Sequence, residues 1–471
     1  MTASLFNLLE APAAQSARIM GGDGAAFEDG ASLRRSSLAI SVRLREAGME
    51  AGEPVLVFVA NRAIDIAAFF GVWKAGGVVV PVHATASENT QEEIRRQTGA
   101  RLALDGEVVQ HVSDRAPAHR EILREAALII FTSGSTGRPK GVVIGHARMD
   151  AKLEVLNRLL RIGAGDAVIL PLHLIFIFGI WVSLLTLAQG AQLRLVTKFT
   201  PQSMREMLTG CTVFATVPSM MRAMFAEGEV SAPELRAILT GGEALGPLLS
   251  AQLTRNLPEA QVFDLYGLTE TGSCDFCLRP EDRIAGADSV GHPTEGVRYR
   301  IVDALGKPVA AGMPGELVID TPFGMLGYLD NPELTLQSHF DDHFRTGDLA
   351  RLRPEGFVEI VGRIKEIISR GGNKIAPAEI EILLMQHDDI SQALCAGAPD
   401  ARLGEAIHAV IVPRHGKTLD PDAVRTWCAS RIERFKVPDV IHLVDALPTG
   451  PTGKARRAGI RELIDPAQPQ T

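Results

Sequence analysis

The run VLVFVA at 55–60 most constrains the fold, because six consecutive apolar residues leave no polar face to show to water. Such a strand must be covered on both sides, as in a parallel sheet flanked by helices. The pattern recurs. Ile64–Ala75 has helical apolar spacing, Gly76-Gly77 leads into VVVPV at 78–82, and Leu128–Phe131 is another buried strand. Strand, crossover and strand at this spacing predict α/β layers with mainly parallel sheets.

A chain of 471 residues, 46% hydrophobic and 22% charged, has the composition of a globular protein of several compact units. Its net charge of −8 gives no reason to expect nucleic acid as a partner. Five Cys cannot build a dense disulfide scaffold, which suits a reducing, cytoplasmic setting. The first twenty residues lack a basic region followed by an unbroken apolar core, so no secretory signal is expected.

Residues 167–188 carry no formal charge, a run long enough to span a bilayer. Pro171, His173, Gly179, Ser183 and Thr186 interrupt it, and it divides into a buried strand, AVILPL, and a buried helix, GIWVSLLTLAQG. The expectation is core, with no stable membrane insertion.

Past residue 290 the texture changes. GVRYRIVDALGKPVAAGMPGELVID reads as two short strands around a Gly/Pro turn, a small β-rich unit at about 290–362. The segment GRIKEIISRGGNK at 362–374 then marks a domain junction before a helix containing Ala378–Met385. The fold class expected is α/β: a large N-terminal domain of stacked α/β sheets with its β-rich unit (1–364), then a small, mobile α+β C-terminal domain (365–471).

The segment FTSGSTGRPKG at 131–141 follows a buried strand and holds three Gly, two Ser and two Thr beside Lys140. Backbone and hydroxyl donors turned into one small volume, with a cation beside them, suit a polyphosphate. It is not a Walker A loop, since no Ser or Thr follows the Lys.

This segment resembles the phosphate loop of the adenylate-forming enzymes: acyl-CoA synthetases, peptide-synthetase adenylation domains and beetle luciferases. The resemblance continues in the family's order through WKAGGVVVP (73–81), TGGE (240–243), YGLTE (266–270), TGD (346–348), GRIKEIISRGGNKIAPAEIE (362–381) and PTGPTGKARR (448–457). It implies ATP-dependent capping of a carboxylate with AMP, then transfer of the acyl group to a thiol. Joining an anion to a polyanion is an electrostatic problem, answered by positioning, Mg²⁺ and fixed cations rather than by a protein nucleophile.

The resemblance also implies residue roles. Thr132, Ser133, Gly134, Ser135, Thr136, Gly137 and Lys140 hold phosphates. Glu270 binds Mg²⁺, a hard cation suited to carboxylate and phosphate oxygens. Gly241, Gly242 and Glu243 line the nucleotide pocket through their backbone, together with Asp264, Tyr266, Gly267 and Thr269. Asp348 accepts the ribose hydroxyls with support from Arg363. Lys454 bridges the carboxylate and α-phosphate, so that Lys454, Glu270 and Thr136 form the catalytic set. Because the thiol must approach where Lys454 stood, the C-terminal domain rotates about Lys365, and Gly371 and Gly372 line the thiol passage. Glu366 and Ser369 replace the Asp and Lys usual in the family.

For the acid, His173, Phe176, Ile177, Phe178 and Gly242 are the pocket candidates. Ile177 takes the place where amino-acid-activating relatives carry an Asp, and a buried ammonium without a partner is prohibitive. An uncharged aliphatic or aromatic acid is favoured. Cys274 and Cys277 form a C-x-x-C with no matching second pair, so small pocket-wall residues are expected there rather than a metal site. The acceptor is expected to be CoA, with the phosphopantetheine of a carrier protein as the alternative; oligomeric state stays open.

Overall fold

The computed structural model describes residues 4–21, 28–114, 116, 119–132, 139–414, 416–448, 457 and 459–460. The chain divides into two compact units. The larger comprises Met1–Tyr299 and Ile319–Phe344, the smaller Arg300–Val318 and Arg345–Thr471. The 364/365 junction read from the sequence lies inside the smaller unit, which also takes in the strand Val358–Arg363 and, from Arg345 on, the strand His343–Leu352 that pairs with it.

The larger unit is built on two sheets. One runs Gly327–Tyr328, Lys140–Gly145, Ala126–Thr132, Val78–His83, Pro54–Val59, Leu102–Asp105, Val108–His111 in spatial order, with its four central strands parallel. The other has Gln261–Tyr266, Ala237–Gly241, Val213–Thr216, Ala167–Leu170, Gln192–Leu195 and Arg18–Met20 side by side and parallel. The apolar runs explain the covering. Val55, Val57 and Val59 face a core shared with both sheets and four helices, while Leu56 faces a second cluster with Ile94 and Leu123. In the other sheet Leu239 faces the shared core and Ile238 a third cluster under the helices Pro218–Ala226 and Pro247–Asn256. Helix, sheet, helix, sheet, helix is therefore the layering, as the continuous apolar strands require.

The uncharged run at 167–188 splits as expected, into the strand Ala167–Leu170 and the helix Ile177–Ala188. Among the described residues no helix is long and apolar enough to cross a membrane. All five cysteines are free and buried. Cys274 and Cys277 lie in the shared core, and the described residues contain no metal-binding cluster of His, Cys, Asp or Glu.

The parallel strands bring their C-terminal ends to one place. His83 ends one sheet's strand and His173 follows the other sheet's strand Ala167–Leu170; their rings stack with centroids 4.2 Å apart. Asn61, in the left-handed conformation, ties the same region: its Nδ2 donates to Leu172 and Val196 carbonyls, and its Oδ1 accepts the Leu174 N–H. In α/β sheets ligands bind beyond these carboxyl ends.

In the smaller unit a five-stranded sheet carries the C-terminal part. Asn373–Ile375, Ile368–Arg370, Gly404–Pro413 and Ile390–Asp400 lie in that order, and Val440–Leu443 joins Gly404–Pro413 in parallel. Ile375, Ile380, Leu384, Ile407 and Ile411 form its core.

Candidate active site

The strands flanking the glycine-rich loop form an antiparallel pair in which Thr132 stands opposite Lys140. The loop residues Ser133, Gly134, Ser135, Thr136 and Gly137 lie outside the described residues, as does Lys454. What the structure gives is the frame. The Lys140 ammonium sits 5.3 Å from the centroid of the Tyr328 ring, a cation–π contact. The Tyr328 hydroxyl donates to Glu270 Oε1 at 3.1 Å. Burial and the Glu270 charge beside it both raise the phenol pKa, keeping it a donor.

Glu270 follows the strand Gln261–Tyr266, so YGLTE leaves the sheet at its carboxyl end. Thr269 accepts the Gly272 N–H through its carbonyl, which tightens the turn. Tyr266 meets Phe276 edge to face, 6.0 Å between centroids. Asp264, two residues back on the same face as Tyr266, stands in register with Thr240, which is in register with Thr216. Burial pushes the Asp264 carboxyl up to about 7, and the Thr240 Oγ1 is buried with no hydrogen-bond partner among the described residues. Three polar side chains thus line up across three parallel strands at their carboxyl ends.

The glycines of TGGE are a steric requirement. A Cβ on Gly241 would lie 2.3 Å from the Leu265 carbonyl oxygen, and Gly242 is left-handed at φ 78°. The Glu243 carboxylate is occupied elsewhere: it accepts from the Ser219 N–H and Oγ and from Arg222. Its side chain fixes the start of the helix Pro218–Ala226. Gly267 follows Tyr266, the last residue of its strand.

Of the acid-pocket candidates, Phe176 caps the helix Ile177–Ala188, Ile177 is buried, and Phe178 stacks on Trp181 with centroids 5.1 Å apart. His173 is held neutral. Burial pushes its pKa down to about 4, the neighbouring His83 adds to this, and its Nδ1 is buried without a partner among the described residues.

In the smaller unit Asp348 and Arg363 are cross-strand neighbours, with Arg363 Nε 2.9 Å from Asp348 Oδ1. Asp348 is buried while the Arg363 side chain is 61% exposed. Thr346 and Glu316 hold this part of the strand His343–Leu352, through Thr346 Oγ1 to Leu317 O at 2.6 Å and Gly347 N to Glu316 at 3.3 Å. Lys365 is exposed on the short turn Ile364–Glu366. Gly371 and Gly372 are exposed, at φ 55° and 83°, and a Cβ on Gly372 would meet nothing within 4 Å.

Two regions of the chain match family models: "AMP-binding enzyme" over residues 30–329 and "AMP-binding enzyme C-terminal domain" over 379–454. The chain belongs to the AMP-binding enzyme family. Among its relatives is a 2-succinylbenzoate–CoA ligase of Geobacillus kaustophilus, 30% identical over 95% of both chains. Another is the fatty acid–[acyl-carrier-protein] ligase ScoC of Streptomyces coeruleorubidus, 29% identical over 91% of this chain and 90% of that one. The fold matches ATP-bound MatB from Rhodopseudomonas palustris with a TM-score of 0.89 over 98% and 99% of the two chains, at 24% identity. The adenylate-forming resemblance and the α/β fold class read from the sequence both stand, and the protein is an AMP-forming ligase.

Sequence reasoning passed over Tyr328, Arg457 and His83. Tyr328 is one of only three tyrosines and follows Gly327 on a two-residue strand. Arg457, three residues beyond Lys454, donates to Glu366, Glu381 and the Cys395 carbonyl. The rarity of tyrosine and the K-x-x-R spacing were the available signals; the partners, distant in sequence, were not visible.

Proposed function

We propose that this AMP-forming ligase activates a hydrophobic carboxylic acid, aliphatic or aromatic, and passes the acyl group to the thiol of CoA. In the first step a carboxylate oxygen bonds to the α-phosphorus of ATP and the bond to pyrophosphate breaks. In the second the thiol sulfur bonds to the acyl carbon, its proton is lost, and AMP leaves with the electron pair. The observation that carries the reading is the Lys140–Tyr328–Glu270 arrangement beside the flanks of the glycine-rich loop. A cation and a carboxylate held close together without neutralising each other are what a metal–triphosphate complex requires.

On this reading Thr132, Lys140 and the loop between them bind the β- and γ-phosphates, and Asp264 and Tyr266 face the adenine. Asp348, steadied by Arg363, accepts the ribose hydroxyls with two oxygens. The donor set suits Mg²⁺: the Glu270 Oε1 is taken by Tyr328, which leaves a hard oxygen, and no basic side chain ion-pairs with it among the described residues. When bound, Mg²⁺ would neutralise charge on the phosphate oxygens. Lys454 draws the carboxylate towards the α-phosphorus. The region beginning near Lys365 moves between the two steps, and Gly371 and Gly372 leave room for a pantetheine arm.

The aromatic wall of Phe178 and Trp181, the apolar Ile177 and the neutral His173 support an acid without a charged amine. The two relatives named above act on a fatty acid and on 2-succinylbenzoate, so both aliphatic and aromatic acids lie within the family's range. Delivery to a phosphopantetheinyl carrier protein is the second reading, favoured by the likeness to the Streptomyces ligase. Five free, buried cysteines support a cytoplasmic location. A panel of carboxylic acids in ATP–pyrophosphate exchange, followed by competition between CoA and a carrier protein for the acyl group, tests the proposal. Exchange with hydrophobic acids and faster release of AMP with CoA is the expected result. Exchange confined to amino acids would overturn the acid assignment, and acylation of the carrier alone would overturn the acceptor.

A further inference from the structure

We infer that Tyr328 is a positioning residue that holds Glu270 and Lys140 apart and ready, one for the metal and the other for phosphate. The inference rests on the proposed roles of those two groups. Lys140 begins a strand at the mouth of the glycine-rich loop, and Glu270 lies within the turn that follows Gln261–Tyr266. An ammonium and a carboxylate sharing one small volume tend to close on each other as an ion pair, and each then loses its value to a ligand. No ion pair joins them here. Tyr328 touches both, with its ring face under the Lys140 ammonium at 5.3 Å and its hydroxyl on Glu270 Oε1 at 3.1 Å.

The backbone makes that bridging position rigid. Gly327–Tyr328 pairs antiparallel with Val142–Val143, and the Leu329 N–H donates to Gly141 O at 2.8 Å, one residue from Lys140. The Met325 N–H donates to Glu270 O at 2.7 Å, so the same segment fixes the main chain of Glu270. The Tyr328 N–H is itself held by Thr335 Oγ1 at 2.9 Å. With 5% of its surface exposed, the side chain has no room to leave. A phenol donating to a carboxylate makes a charge-assisted bond and orients it, leaving the second oxygen free. The aromatic face meanwhile gives the ammonium a seat that an incoming anion can outbid.

The test is calorimetry of ATP binding to the full chain across a MgCl₂ series and in EDTA, with thermal unfolding as a check on folding. Tyr328→Phe keeps the ring and removes the hydroxyl. It should raise the Mg²⁺ concentration for half-maximal ATP affinity roughly tenfold, the size of one lost hydrogen bond to a charged group, while metal-free ATP affinity stays unchanged. Tyr328→Leu removes both contacts and should weaken ATP in EDTA as well. Glu270→Gln is the reference. If it leaves the Mg²⁺ dependence unchanged, the metal role of Glu270 fails and the inference with it. If Glu270→Gln shifts the dependence and Tyr328→Phe does not, or if Tyr328→Phe weakens binding equally with and without Mg²⁺, the positioning role alone is overturned.

Discussion

The two compact units hold their polar groups in opposite ways. In the larger unit Glu270, Tyr328 and Lys140 come from three separate segments and are locked by one another and by backbone pairing. In the smaller unit Lys365 and the 371–374 hairpin are exposed, with left-handed glycines and open space beside Gly372. The first arrangement suits a reaction in which charge is met by groups already in place. The second suits one in which a long substrate arm must pass and the chain must turn. Asp348 is the exception that sharpens the contrast, a buried carboxylate in the smaller unit fixed to Arg363.

The largest expected break in this comparison is Lys454→Ala. It should lower ATP–pyrophosphate exchange on the order of a thousandfold yet spare thiolysis of a supplied acyl adenylate, because the cation acts only while charge builds at the α-phosphorus. Equal loss of both half-reactions, measured separately, rejects a role confined to the first. Asp348→Ala comes next. Losing a charged acceptor for two hydroxyls should raise the ATP KM in exchange by roughly ten- to a hundredfold, and an unchanged KM removes Asp348 from the nucleotide site.

Asp264→Asn tests whether the larger unit keeps a desolvated acid. Its folded pKa, about 7, lies above the ordinary 3.8, so the native protein retains a proton that the unfolded chain has released. That contribution is complete below pH 4 and is lost as pH rises towards 7. The Asn variant lacks this fall and should be more stable than the wild type at pH 8, by on the order of 2 kcal/mol. Urea unfolding at pH 5 and pH 8 reads the difference; parallel curves for both proteins contradict it. The smallest effect is Gly371→Leu, expected to slow thioester formation about fivefold while exchange changes less than about twofold. The reverse ranking closes the passage model.

How much of this was legible in the sequence follows from the range of the interactions. VLVFVA and VVVPV declared two-sided burial by themselves, and both are central parallel strands. Gly241 was readable as part of a motif, although the reason for it, the Leu265 carbonyl on the next strand, was not. The smaller compact unit joins segments 300–318 and 345 onward across a stretch that belongs to the larger one, a union that no local pattern encodes. Tyr328 was missed for the same reason: its partners lie 58 residues away at Glu270 and far upstream at Lys140, and no local pattern encodes such a meeting. Glu243 shows the converse, a motif residue whose carboxylate serves a neighbouring helix through Ser219 and Arg222.

The account depends on one event, the bonding of a substrate carboxylate oxygen to the α-phosphorus of ATP. An acid that supports exchange, prepared with ¹⁸O in its carboxyl group and turned over with ATP and CoA, follows that oxygen directly. The account predicts one ¹⁸O in AMP and none in pyrophosphate. Label in inorganic phosphate, or AMP free of label, contradicts it.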